Sequence, residues 1–174
     1  GYFARASYSF DDAYYLTASY RRDGASVFGA DNKWGNFYAF GGAWRVTHEK
    51  FMEKVRFLND LKLKLSWGRN GNQGIDPYGT LSEAVIGPGG GIAYPFGNST
   101  VPSFGIKQNS LGNSGLGWET TNSWNFGFES AWLNNRLFVN MDVYLSRTTD
   151  QIFNRTIPSM TGFDSMKSTM GEVA

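Results

Sequence analysis

The sequence predicts an all-β chain: about six antiparallel strands from the wall of a transmembrane β-barrel, with short periplasmic turns at one end and long extracellular loops at the other. Three observations carry this reading. Apolar and polar residues alternate with period 2 in six separate segments. The connections between those segments alternate between short and long. The composition is aromatic and glycine-rich, with no cysteine and almost no net charge.

Taken in order, Tyr2 to Phe10 is the first candidate strand and alternates only loosely. In Tyr14 to Arg22, Tyr14, Leu16, Ala18 and Tyr20 share one face, and Tyr15, Thr17, Ser19 and Arg21 the other. Phe37 to Val46 is again looser. Leu61 to Trp67 is the clearest, with Leu61, Leu63, Leu65 and Trp67 opposite Lys62, Lys64 and Ser66. Setting a lysine against lipid at mid-bilayer costs about 2–4 kcal/mol. The leucine face must therefore look outward, and the lysines into the lumen. In Trp118 to Trp132, Trp124 and Trp132 share the outer face. Their spacing, at about 3.3 Å per residue and a tilt near 40°, separates them by roughly 20 Å along the membrane normal, close to the height of a barrel's apolar band. Asn122 and Ser130 would fall on that face too. In Leu137 to Arg147, Leu137, Val139, Met141, Val143 and Leu145 face outward, and Phe138, Asn140, Asp142, Tyr144 and Ser146 inward.

The short connections are Asp11 to Ala13, Glu49 to Asp60 and Asn134-Asn135; the long ones are Asp23 to Lys33, Asn70 to Gly117 and the stretch beyond Thr149. That order matches the periplasmic-turn and extracellular-loop alternation of outer-membrane barrels. A two-residue turn at Asn134-Asn135, both tolerant of positive φ, pairs Leu133 with Arg136 and Trp132 with Leu137. A three-residue loop at 11–13 would pair Phe10 with Tyr14, a register the sequence leaves open. The middle connection reads as a short amphipathic helix with Thr47 as N-cap and Phe51, Val55 and Leu58 on one stripe.

Composition excludes several function classes. A net charge of +1 offers no basic excess for nucleic acid. Zero cysteines removes thiolate metal sites and disulfides. No stretch reaches the roughly 18 apolar residues of a membrane helix, and mean hydropathy is −0.37. A barrel escapes that test, because only alternate residues face lipid. The chain reads as one part of a longer protein, with no signal peptide of its own.

No residue set points to catalysis, and no cofactor is expected. His48 is the only histidine and has no partner at a zinc or triad spacing. Asp11-Asp12 stands where a turn favours aspartate. The Gly87-Pro88-Gly89-Gly90-Gly91 run lacks the lysine and helix of a phosphate loop. The segment from Asn70 to Gly117 mixes small polar residues with Tyr78, Tyr94, Phe96 and Phe104, and Trp118 follows it. Rings beside amides and hydroxyls suit sugar or peptide capture; a packing loop over the barrel mouth would use the same residues.

Several blocks in order carry a resemblance: YYLTASYRRDGASVFGADNKWGNFYAFGGAWRVTHEKFM, LNDLKLKLSWGRNGNQGI, LGWETTNSWNFGFESAWLNNRLFVNMDVYLSRTTDQI, IPSMTGF and MGEV. Together they resemble the C-terminal half of the barrel in SusC/RagA-family TonB-dependent transporters, over nearly the whole chain. Gly68-Arg69-Asn70 ahead of Gly71-Asn72-Gln73 departs from the family, which more often has a small residue or Thr there. The resemblance implies a plugged barrel of roughly 22 strands, with residues 1–174 inside its barrel domain and the plug and N-terminal domains outside this chain. It implies import of oligosaccharides or peptides through the Gram-negative outer membrane, with a SusD-like surface lipoprotein and the TonB complex as partners and outer-membrane lipid around the wall. Asn72 and Gln73, atop the strand that points Lys62 and Lys64 inward, are the candidate ligand or plug contacts.

Two other readings compete. One is a different barrel, a porin or adhesin. The other is a soluble carbohydrate-binding β-sandwich, which would bury the leucine face against a second sheet and leave the lysines in water.

Overall fold

The computed structural model describes residues 1–29, 31–55, 57–87, 93–94 and 103–173. Most of the glycine run at 87–91, and Phe96, lie outside them. The six expected strands form the body of the structure: β1 (Tyr2–Phe10), β2 (Tyr14–Gly24), β3 (Trp34–Arg45), β4 (Leu58–Asn72), β9 (Glu119–Trp132) and β10 (Leu137–Thr149). They lie side by side as one antiparallel sheet in the order β1-β2-β3-β4-β9-β10. A short strand β13 (Glu172–Val173) pairs with the end of β10 as the seventh member.

The register puts the expected faces together. Tyr14 pairs with Trp44, Leu16 with Gly42 and Ala18 with Phe40. Leu63 pairs with Trp44 and Phe128, and Leu65 with Gly42 and Phe126. Val143 pairs with Phe126 and Leu145 with Trp124. One face is thus apolar across six strands. Its aromatics gather in two bands, with Tyr14–Trp44 and Phe57–Trp132 near the short turns and Phe40–Trp67–Trp124 and Tyr20–Tyr38 toward the other end. Ser130, which the alternation placed awkwardly on this face, is buried: its hydroxyl accepts from Trp132 Nε1 at 2.9 Å and bonds the Val139 carbonyl at 3.3 Å. A polar group satisfied in this way can sit on an apolar face at little cost.

The apolar face is bare. Leu16 is 59% exposed, Leu65 51% and Leu145 70%, and no described element covers them. A soluble sandwich would cover this face with a second sheet, and none of the described residues forms such a cover.

Two connections differ from expectation. The 46–57 connection holds two 3₁₀ turns, Val46–His48 and Lys50–Met52, and no α-helix among its described residues. Thr47 does not cap it: its hydroxyl donates to Asp60 Oδ1 at 2.9 Å and accepts the Leu61 N–H at 3.3 Å, tying the turn to the start of β4. Phe51 is exposed and Leu58 already belongs to β4, so the expected apolar stripe has no packing to stabilise it. The β9–β10 hairpin keeps the Trp132–Leu137 pair, but its loop takes in residues 133–136, closed by Arg136 N–H to the Trp132 carbonyl at 3.0 Å. Leu133, Asn134 and Asn135 all have positive φ. A bulge around Asn59 in β4 explains this wider turn, because the side-chain Oδ1 of Asn59 accepts the N–H groups of Asn134 at 2.8 Å and Asn135 at 3.4 Å. At 11–13 the three-residue loop forms, with Phe10 opposite Tyr14 and both aspartates left-handed.

The long connections carry structure of their own. The 73–118 stretch holds β5 (Glu83–Ile86), β6 (Ala93–Tyr94), β7 (Ser103–Phe104) and β8 (Ile106–Leu111). The stretch after β10 holds β11 (Ile152–Thr156) and β12 (Ser165–Thr169). β11, β12, β8 and β5 make a four-stranded sheet, an apron built entirely from the long-loop segments, in which β12 and β8 run parallel.

Candidate functional site

The face opposite the leucines carries the charge. Ala43, Lys64, Gly127 and Asp142 lie in one row across β3, β4, β9 and β10. Lys64 Nζ reaches Glu129 Oε1 at 2.8 Å and Asp142 Oδ1 at 3.7 Å. Gly127 makes this possible, since a Cβ there would stand 2.1 Å from Asp142 Oδ1 and 3.2 Å from Lys64 Cε. Lys62 lies over the Tyr15 ring, 4.7 Å from its centroid. A shallow hollow of about 290 Å³ beside Lys64 is floored by Gly41 and lined by Thr17, Ser66, Asn125 and Asp142. This is a hydrophilic wall of paired charges and small residues, suited to water or to another part of the protein.

Toward the long-loop end the β3–β4 ladder stops at the Ala39–Gly68 pair. Phe37 fills the opening, stacked edge-on against Trp118 at 5.3 Å, with Phe28 on Trp118 at 5.1 Å. A Cβ on Gly71 would lie 2.1 Å from the Phe37 ring, so that glycine lets the ring in. Asn32 Nδ2 donates to the Gly115 carbonyl at 3.0 Å, locking the 25–33 loop to the segment that enters β9. Trp118, one of the candidate capture aromatics, is thereby spent on packing.

Asn72 and Gln73 both sit exposed at the end of β4. Asn72 is opposite Glu119 in the ladder and donates Nδ2 to its Oε1 at 3.4 Å. The Gln73 carbonyl accepts the Ile75 N–H at 2.6 Å, which turns the chain out of the strand. At the opposite end, Glu49 accepts from the Tyr14 hydroxyl and, at 3.2 Å, from Trp44 Nε1. These two donors, the tyrosine first, hold the Glu49 carboxyl below the usual carboxylate range. His48 Nε2 faces Asp11 Oδ2 at 3.5 Å. Among the described residues no three His, Cys, Asp or Glu side chains are grouped as a metal site.

An open sheet with a bare apolar face and aromatic bands on one side, and ion pairs on the other, is the wall of a membrane barrel. The TonB dependent receptor-like β-barrel family matches residues 1–171. The chain belongs to the TonB-dependent receptor β-barrel family. A TonB-dependent receptor of Formosa agariphila is 37% identical over 99% of this chain, and the TonB-dependent receptor SusC of Bacteroides thetaiotaomicron is 35% identical over 94% of it. The RagAB peptide importer in its closed-closed state matches 98% of this chain with a TM-score of 0.80 and 32% identity. The SusC/RagA resemblance is borne out. The chain spans 17% and 16% of the lengths of those two relatives and 18% of the RagAB chain. In a TonB-dependent receptor barrel the leucine face meets outer-membrane lipid and the Lys64 face lines the lumen. The family is one of receptors and transporters, not of enzymes.

Proposed function

We propose that the full-length protein imports oligosaccharides or peptides through the outer membrane, with energy from the TonB complex and a SusD-like surface lipoprotein closing over its mouth. Residues 1–174 form part of its multi-pass barrel domain, and the plug and N-terminal domains belong to the rest of the protein. The observation that carries this reading is the match of the whole lipid-and-lumen sheet, together with its apron, to the RagAB importer over 98% of the chain. A porin or adhesin would share the wall, but not the similarity to SusC and RagAB. Asn72 and Gln73, exposed where β4 meets the loops, act as ligand or plug contacts in this scheme.

The test is to express the full-length protein in its host, fractionate the membranes and ask what co-purifies. Recovery in the outer membrane with a lipoprotein supports the proposal. Recovery there without a lipoprotein and with an unplugged pore replaces it with the porin reading.

A further inference from the structure

Of the candidate capture aromatics, Tyr78 and Phe104 are exposed, and Tyr78 is the one that lines a cleft. Trp118 is packed between Phe28 and Phe37, whereas Tyr78 is 79% exposed. It also sits at φ 65, a left-handed backbone that a bulky residue seldom adopts. The turn that presents it is firmly built, with Gly79 N–H on the Asp76 carbonyl at 3.0 Å and Leu81 N–H on the Tyr78 carbonyl at 2.8 Å. Beside it opens a cleft of about 390 Å³, within the range of small-ligand sites. Asp76, Tyr78, Ser82, Glu83, Ser110 and Lys167 line it, brought from the turn, β5, β8 and β12.

The chemistry of the lining selects a ligand class. Lys167 Nζ pairs with Asp76 Oδ2 at 3.1 Å, and Glu83 Oε2 accepts from Asn109 Nδ2 at 3.1 Å. Lys167 and Asp76 offset each other, and Glu83 leaves the rim one net negative charge; such a rim repels acidic ligands and offers a neutral one fixed donors and acceptors. An aromatic face next to such a rim fits a sugar ring, whose C–H face stacks while its hydroxyls bridge paired polar groups. A peptide strand would need a regular free edge. The nearest edge, β5, spans only Glu83–Ile86 and is irregular between Glu83 and Ala84. Building on the importer reading above, we propose that the Tyr78 cleft is an extracellular subsite for a neutral oligosaccharide, with Tyr78 as the stacking platform.

The experiment uses the full-length protein with its lipoprotein partner in detergent, titrated by native mass spectrometry. The probes are neutral linear glucans, mannans, xylans and galactans of defined length, and separately a set of defined peptides. Binding of at least one glycan is expected, with Tyr78→Ala weakening it about tenfold and Tyr78→Phe and Tyr78→Trp retaining it, because the ring and not the hydroxyl does the stacking. Glycan binding undiminished in Tyr78→Ala overturns the subsite while leaving the importer reading intact. Binding of peptides alone overturns the glycan assignment and keeps an importer. A wild-type protein that binds neither probe set and recovers no lipoprotein overturns both.

Discussion

At the residue scale, the turns at the short-connection end rest on a few side chains and backbone positions whose geometry is out of the ordinary. Leu133 is one: it holds φ 53 in the β9–β10 turn and its side chain is 60% exposed. Left-handed backbone costs an L-residue roughly 1–2 kcal/mol, and glycine avoids that at an entropic cost of about 0.5–1 kcal/mol. Leu133→Gly is therefore expected to stabilise the full-length barrel by about 0.5–1 kcal/mol, read as a higher denaturant midpoint in detergent. Glu49 is another. Its carboxyl has a lowered pKa in the folded state because Tyr14 and Trp44 donate to the charged form. A group with a depressed folded pKa stabilises above its unfolded value, and that contribution is lost as the pH falls through the folded one. Anchoring of the 46–57 turn should thus be complete at neutral pH and fade on acidification into and below the ordinary carboxylate range. The hydrogen-exchange protection factors of this turn, with the intrinsic pH dependence of exchange divided out, should fall in acid in the wild type, and Glu49→Gln should lose that pH dependence.

At the element scale, the two faces of β4 make opposite demands. Leu65 lies on the lipid face between Gly42 and Phe126, midway between the two aromatic bands, while Ser66 lies on the lumen face between Gly41 and Asn125. Leu65→Lys should cost about 2–4 kcal/mol near the midplane; Ser66→Lys, directed to the lumen, should cost less than about 0.5 kcal/mol. Heat-modifiable gel migration of the full-length variants separates the two: loss of the folded band with Ser66→Lys and not with Leu65→Lys would reverse the assignment of faces. The same strand shows how far a sequence reaches. Alternation from Leu61 to Trp67 placed its core correctly, yet the bulge around Asn59 that carries the neighbouring turn has no local signature, because its purpose lies in the contact with Asn134 and Asn135.

At the scale of the whole molecule, the described sheet is open. The outer edge of β1 has no partner, and both faces of the wall are exposed among the described residues. Unpaired edges and bare apolar faces favour association. The 174-residue chain expressed by itself in detergent-free buffer should aggregate, and a sharp cooperative melt of a monomer would contradict the barrel. The apron adds a second layer of organisation over the long-loop end, where Lys107 meets Asp164 at 2.6 Å and Asn113 Nδ2 donates to the Lys167 carbonyl at 2.9 Å. These ties join segments on either side of the β9–β10 hairpin, and they position the Tyr78 cleft.

The sequence by itself determined the six strands, the faces of the cleanly alternating ones and the alternation of short and long connections. Each follows from a local rule, period 2 against a two-faced environment, and a charge in lipid is costly enough to orient the strand that carries Lys62 and Lys64. Only the tertiary structure decided that the long loops fold into a sheet, that Trp118 is packed away while Tyr78 is presented, and that Thr47 ties a turn to β4 and caps no helix. Those outcomes depend on partners distant in the chain, such as Asp76 with Lys167 or Asn32 with Gly115, and no periodicity records which distant residues will meet.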